Sequence, residues 1–259
     1  MIRYFFTSEA VVPLRAEARE GAEMVSQLLF GEFGEVLEEK DGWWKVKHYG
    51  DGYTGWASCN MLMEASRDDF PNPKVAVGIV QSHDAIVENP RGDLIHLPIG
   101  AKIPSSFKDY INIGREKFKI RQGDYTFRER VIEETASLFL GAPYLWGGRS
   151  SFGIDCSGLT QMVFEMHFKG LPRDSSQQIK VGTAILFEER VSGNLAFFSK
   201  PDQTKVSHVG IVLSGNRIIH ASGRVKIETL SPEGILNDKG VLTHRLIQIN
   251  RYFRQEKQS

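Results

Sequence analysis

Residues 153–169 read Gly-Ile-Asp-Cys-Ser-Gly-Leu-Thr-Gln-Met-Val-Phe-Glu-Met-His-Phe-Lys. Leu159, Met162, Val163 and Met166 fall at i, i+3, i+4 and i+7, the spacing of one buried helix face, which predicts a helix from Cys156 to about Lys169. Asp155 precedes that helix as a candidate N-cap. Cys156 occupies the first turn, where free N–H groups and the positive end of the helix dipole favour an anion, so the position is one that stabilises a thiolate. A lone cysteine is nonetheless most often an inert apolar core residue. Position alone does not make Cys156 a nucleophile.

Upstream, Val131, Ile132, Ala136, Leu138 and Phe139 keep helical spacing within Phe127 to Leu140, and Gly141 with Pro143 ends that run. Beyond Leu171 the pattern becomes that of strands, at Ala196 to Phe198, Val206 to Leu213, Arg217 to Ala221 and Leu246 to Ile249. Helices followed by a run of strands predict an α+β domain with helices packed on an antiparallel sheet. Ser214-Gly215-Asn216 reads as a three-residue hairpin loop that sets Leu213 against Arg217 and Gly210 against His220. Because strand side chains repeat with period two, His208 and His220 then share a face as diagonal neighbours about 7–8 Å apart. Gly210 between them leaves room for an approaching group, and a one-residue slip would send His220 to the other face. A single strand histidine is most often structural. Two on one face, with a helix-start cysteine upstream, point to a cysteine nucleophile with His208 as general base and His220 orienting its ring.

Toward the N-terminus, residues 10–63 read as short strands separated by turn signals such as Asp41-Gly42 and Asp51-Gly52, the pattern of a small barrel. Val12-Pro13-Leu14-Arg15, Gln27 to Glu32, Asp41 to Val46 and Gly52 to Trp56 follow one another in an order that resembles a bacterial SH3 (SH3b) domain, spanning 1–64. Trp43, Trp44 and Trp56 suit ligand stacking, although in a small barrel such residues are more often core. Residues 65–73 are polar with two prolines and read as a linker. Residues 74–125, with Val75-Ala76-Val77 and Ala85-Ile86-Val87 among Gly and Pro breaks, are expected to form a second, degenerate SH3b-like domain, leaving 126–259 as the third domain.

The chain has 259 residues, 32 Lys plus Arg and 32 Asp plus Glu, so its formal net charge is zero. That balance argues against nucleic acid or an anionic membrane as a partner bound through charge. No stretch approaches the roughly 20 apolar residues of a membrane span. Glu9 arrives before an export signal's apolar run of about 7–15 residues, so a cytoplasmic location is expected. The two cysteines, Cys59 and Cys156, make no disulfide framework, and without CxxC or HExxH spacing no metal site and no cofactor are expected. A reducing cytosol and a catalytic thiol would both oppose a Cys59–Cys156 bridge.

Ala142-Pro143-Tyr144-Leu145-Trp146-Gly147-Gly148, Asp155-Cys156-Ser157-Gly158, Ser207-His208-Val209-Gly210 and Ile218-Ile219-His220-Ala221 resemble, in order, the motifs of the NlpC/P60 cysteine peptidases. With the SH3b unit in front, the chain resembles the bacterial γ-D-glutamyl-L-diamino acid endopeptidases. The resemblance implies a papain-like catalytic domain preceded by one or two SH3-like barrels. It also implies hydrolysis, through an acyl-enzyme, of the amide between the D-glutamate side-chain carboxyl and a diamino acid in murein peptides. Tyr144 would then assist the oxyanion together with the Cys156 N–H, while plain packing is the better reading of Trp146. Asp155 and Ser157 would lie around substrate, the first also being a plain helix cap. Asp174 and Ser175, otherwise an ordinary polar loop in Arg173-Asp174-Ser175-Ser176, would grip the free amino terminus of the peptide, since an ammonium calls for a carboxylate. Glu23 and Tyr53 match the acidic and tyrosine groups with which relatives close that pocket from the first SH3b unit.

Gly193-Asn194-Leu195 stands where the family usually has Gly-Asp-Leu, and the insert Phe187 to Ser192 is longer than a minimal loop. Three functions compete. The first is an endopeptidase trimming recycled murein peptides with a free N-terminal L-alanine; the second, a CHAP-like amidase acting on intact wall; the third, a catalytically weak wall-peptide binding module. Intact Cys156, His208 and His220 oppose the third. The diamino acid and the oligomeric state stay open.

Overall fold

The computed structural model describes residues 2–66, 69, 78–103, 106–107, 109–125 and 130–252. Most of the expected linker, Val75-Ala76-Val77 and the start of the helix expected from Phe127 lie outside these residues. The chain divides into two compact units, Met1–Glu129 with Trp146–Phe152, and Arg130–Leu145 with Gly153–Ser259.

The first unit is built of short strands: β1 (Arg3–Thr7), β2 (Val11–Arg15), β3 (Met24–Leu29), β4 (Phe33–Lys40), β5 (Trp43–His48), β6 (Thr54–Ser58) and β7 (Leu62–Ala65). They form one sheet in the order β3-β2-β6-β5-β4-β1-β7. Asp41 and Gly42 both take positive φ, 49° and 78°, and set Lys40 against Trp43, the two-residue turn that their sequence announced. Phe5, Val12, Leu14, Leu28, Trp44 and Val46 fill the interior. Trp44 is therefore core, with the Arg3 guanidinium 4.9 Å above its ring. A second group follows: β8 (Gly78–Ile79), β9 (Ile86–Glu88), β10 (Leu94–His96), β11 (Lys102–Ile103), β12 (Ser106–Phe107), β13 (Tyr110–Ile113) and β14 (Glu116–Gln122). Its apolar cluster, from Val80 to Phe118, includes Phe6 of β1 and Phe30 just after β3, so the two groups share a core.

The segment Trp146–Phe152, carrying β15 (Arg149–Ser150), is held in this unit by a buried ion cluster. Arg149 reaches Glu32 through both Nη atoms at 2.9 and 3.1 Å and donates to the Gln27 carbonyl at 2.8 Å. His48 and Lys102 lie 3.6 Å from the same carboxylate. Burial alone would raise the Glu32 titration, but Arg149, then His48 and Lys102, outweigh it and hold the carboxyl well below the usual carboxylate range. Gly147 explains itself here: at φ 76°, a Cβ would stand 2.4 Å from the Met24 carbonyl oxygen. Arg149→Met removes one partner of a buried pair, which typically costs about 3–5 kcal/mol. Its urea midpoint is expected to fall accordingly at pH 7. Because the folded Glu32 titrates low, the pair's contribution is present above the unfolded carboxylate range and fades as pH drops toward the folded value. An unchanged midpoint would contradict the assignment of the cluster as the anchor of this segment.

The second unit holds α1 (Ile132–Ser137), β16 (Gly153–Ile154), α2 (Cys156–Glu165), α3 (Ser175–Gln178), β17 (Thr183–Ile185), β18 (Leu195–Ser199), β19 (His208–Leu213), β20 (Arg217–Ser222), β21 (Arg224–Leu230), β22 (Gly234–Leu236) and β23 (Leu242–Arg251). The two expected helices are shorter than the sequence led us to expect, and the short α3 was not expected. α1 keeps six residues of the expected Phe127 to Leu140. α2 stops at Glu165, because Phe168 turns left-handed at φ 57° and Lys169 N–H closes onto the Phe164 carbonyl. The sheet is also more than a platform. Its order is β17-β23-β18-β19-β20-β21-β22, and β22 pairs back onto β23, closing a six-stranded antiparallel barrel. Ala196, Phe198, Val212, Ile218, Leu230 and Ile235 fill its interior. The insert forms a turn at Phe187–Glu189, with Arg190 over the Phe187 ring and bonded to Asn216 at 2.6 Å. Asn194 accepts from Val191 N–H at 2.8 Å, so the amide serves the turn in place of the usual acid.

Candidate active site

Cys156 opens α2, and every residue from Cys156 to Phe164 is buried. The cap is Asp155, whose Oδ1 accepts from Gly158 N–H at 2.7 Å. Arg173, itself buried, grips the same carboxylate at 2.6 and 3.0 Å and donates to Ser157 Oγ at 2.9 Å. Asp155 and Ser157 are thus committed to building the helix start. Asp174, half-buried, directly follows Arg173 and is the N-cap residue of α3, whose first residue is Ser175.

The helix start is opposed by burial. Burial pushes the Cys156 thiol up to about 12, Asp155 adds to that, and the Val209 and Ser157 N–H groups with Arg173 only partly oppose it. A helix-end charge interaction is worth about 0.3–1 kcal/mol, whereas burial displaces a titration by up to about 3–5 pH units at about 1.4 kcal/mol each. Desolvation wins. The Val209 N–H contact also places the sulfur beside β19. Both cysteines are free.

The β19–β20 hairpin has the anticipated register, Leu213 opposite Arg217 and Ile211 opposite Ile219. His208 Nε2 and His220 Nδ1 lie 2.8 Å apart, the rings nearly perpendicular at 85°. Gly210 does not leave space for an incoming group. A Cβ there would meet Ile218 at 2.8 Å and His220 at 3.0 Å, so the missing side chain is what admits the two facing residues. Burial, with His220 and His244 next in importance, lowers the His208 titration well below its ordinary value. Both shifts run in the direction that favours a neutral thiol and a neutral imidazole in the resting site.

Tyr144 is placed by strand-like pairings: it bridges to Ile154, its N–H donates to the Gly223 carbonyl at 3.0 Å, and Pro143 opposes Arg224. Burial, with Cys156 and Asp155 beside it, pushes its phenol up to about 12, so it stays a hydrogen-bond donor. Glu23 and Tyr53 belong to the first unit. There Glu23 accepts from Trp146 Nε1 at 2.7 Å, and Tyr53 N–H donates to Asp51.

Three neighbours escaped the sequence reading. Glu228 Oε2 lies 2.8 Å from His220 Nε2, and Lys226 Nζ donates to Glu228 Oε1 at 2.9 Å. His244 stacks on His208 with ring centres 4.2 Å apart. Among the described residues, no group of three His, Cys, Asp or Glu side chains is arranged to hold a metal ion.

The NlpC/P60 family matches residues 141–243, and the bacterial dipeptidyl-peptidase SH3 domain matches 14–62. The chain is 31% identical over 215 residues to the γ-D-glutamyl-L-lysine dipeptidyl-peptidase of Bacillus subtilis, covering 76% of this chain and 71% of that protein. It is 28% identical over 242 residues to the Bacillus cereus enzyme of the same name, covering 82% and 72%. A crystal structure of an NlpC/P60 family protein from Bacillus cereus superposes with a TM-score of 0.78 at 21% identity, covering 97% of this chain and all of that one. With 31% identity across more than two thirds of both chains and the family match over the part that carries Cys156, His208 and His220, the chain belongs to the NlpC/P60 family of cysteine peptidases.

Proposed function

We propose that the protein hydrolyses the γ-D-glutamyl–L-diamino acid amide of murein peptides that carry a free N-terminal L-alanine, in the recycling of soluble wall fragments. The names of the Bacillus relatives support the bond. The observation that carries the mechanism is Cys156 at the start of α2 beside β19, whose His208 is bonded in turn to His220. It is the papain-like division of labour, with the nucleophile on a helix and the base on a facing strand.

Cys156 Sγ attacks the γ-carbonyl carbon while His208 removes the thiol proton, so charge separates only as the bond forms. The Cys156 N–H, first in its helix and without an intrahelical partner, and the Tyr144 hydroxyl donate to the developing oxyanion. His208 returns its proton to the leaving amine of the diamino acid. Water, deprotonated by the same ring, then releases the acyl group and regenerates the thiol. Asp174 and Ser175 take the substrate's ammonium. Arg173, locked onto Asp155, fixes the position of the residue next to it relative to the start of α2.

Acetylating the peptide's amino terminus removes its positive charge and with it the charge-assisted bond to half-buried Asp174. A hydrogen bond to a charged group is worth about 1.5–3 kcal/mol, so kcat/KM is expected to fall about 10–100-fold. Asp174→Asn should shrink the preference for the free amine rather than lower both activities alike. Rates on free and N-acetylated L-Ala-γ-D-Glu-diamino acid decide this. Equal values would reject the recycling reading and favour an amidase acting on intact wall.

A further inference from the structure

The bonded series of side chains continues beyond His220, and the continuation is chemically directional. Glu228 on β21 approaches His220 Nε2 at 2.8 Å, and its carboxylate accepts only. Burial opposes the ionised form, but the bonds from His220 and Lys226 prevail, and the Glu228 carboxyl is held at about 2. The hydrogen on that line therefore sits on His220 Nε2. Glu228 is also paired with Lys226 Nζ at 2.9 Å, so its single negative charge already has a partner. With the one hydrogen of an uncharged ring on Nε2, His220 Nδ1 is bare and accepts, which places the single hydrogen between the rings on His208 Nε2 and leaves His208 Nδ1 as the free lone pair.

From this geometry we infer that Glu228 is a positioning residue that sets the tautomers of both histidines, so that His208 Nδ1 is the nitrogen able to take the Cys156 proton. The inference deepens the proposed mechanism and rests on His208 being its base. Without an acceptor at 228, His220 can carry its hydrogen on Nδ1 and donate to His208 Nε2. The His208 hydrogen then moves to Nδ1, the face the thiol must use. Lys226 and Glu228 sit on one face of β21, and His220 pairs directly with Lys226, so Glu228 is its diagonal neighbour across the hairpin. The contact is a consequence of register.

The test reads tautomers without substrate. In the full chain labelled with nitrogen-15 histidine at pH 7, His208 and His220 should both show the Nε2–H form. Glu228→Gln, which keeps an acceptor oxygen, should retain that form and lose less than about tenfold in kcat. Glu228→Leu should populate the Nδ1–H form of both rings. It should lower kcat about 100-fold, within the range a misplaced general base costs, with KM within about twofold. The inference is overturned by Nδ1–H at His208 in the wild type, a measurement that needs no variant to fold. It is also overturned if Glu228→Leu leaves the spectra unchanged. Recovery of activity in Glu228→Leu/Lys226→Met would likewise overturn it, because Glu228 would then serve only to neutralise the lysine. Failure of the substrate proposal looks different: tautomers as expected, with no hydrolysis of the γ-linked peptide.

Discussion

Cys156→Ala is expected to abolish turnover, by about 10⁴-fold or more, while the circular dichroism and melting of the chain stay close to wild type. The side chain lost is small, and Asp155 still caps α2 through Gly158 and Arg173. Cys156→Ser should be nearly as inactive, since a hydroxyl is harder to deprotonate than this buried thiol. Burial that lifts the thiol to about 12 and depresses His208 makes the neutral pair the reactive form. As pH falls, activity is lost only when His208 gains a proton, and its low titration puts that limb well below the ordinary histidine value. As pH rises, neither the thiol nor Tyr144 titrates before strongly alkaline solution. A broad plateau in kcat/KM follows, with no thiolate absorbance difference between wild type and Cys156→Ala near neutrality. A thiolate signal at pH 7 would mean that the resting site is an ion pair after all. Activity surviving in Cys156→Ala would remove the residue from the mechanism.

Much of this site was written in local patterns. The hairpin loop Ser214-Gly215-Asn216 fixes Leu213 against Arg217, and from that register His208 and His220 fall on one face without any knowledge of the rest of the chain. Glu228 was legible by the same rule, because Gly223 turns β20 into β21 with Ser222 opposite Arg224. Pairing outward from there reaches Lys226 opposite His220 and Glu228 one step along the same face. His244 was not legible. It reaches His208 through a register shift between Ile235 and Leu236 and through the pairing of β22 with β23, which is also what closes the barrel. Such long-range pairing leaves no signal in a strand's own alternation, and β19 carries even less, being buried along its whole length. The burial of the thiol was not legible for a related reason. A helix start is a local feature, whereas the burial that outweighs it comes from the whole unit. Gly147 and Gly210 were visible as motif letters only, and the atoms they make room for, the Met24 carbonyl and the Ile218 and His220 side chains, are known only from the folded chain.

If His208 is the base and His220 orients it, the two should fail as a unit. His208→Ala is expected to lower kcat by about 10³–10⁴-fold, the upper part of what a general base contributes, and His220→Ala by about 10²-fold. The smaller loss reflects a ring that keeps its chemistry but not its orientation: His208 would still carry its lone pair and its stacked neighbour His244, without the 2.8 Å bond to His220. The double variant should be no worse than His208→Ala alone, because there is nothing left for His220 to orient. Stability gives the contrasting readout. Both rings are buried among Phe198, Ile218 and their neighbours, so each truncation also opens space, and losses of that kind in neighbouring side chains need not cancel. Unfolding free energies and kcat measured on the same four proteins therefore separate the roles. If the kcat losses of the single variants simply multiply in the double, His220 is a packing residue, and the directional series from Glu228 to Cys156 would end at a ring that does not transmit it.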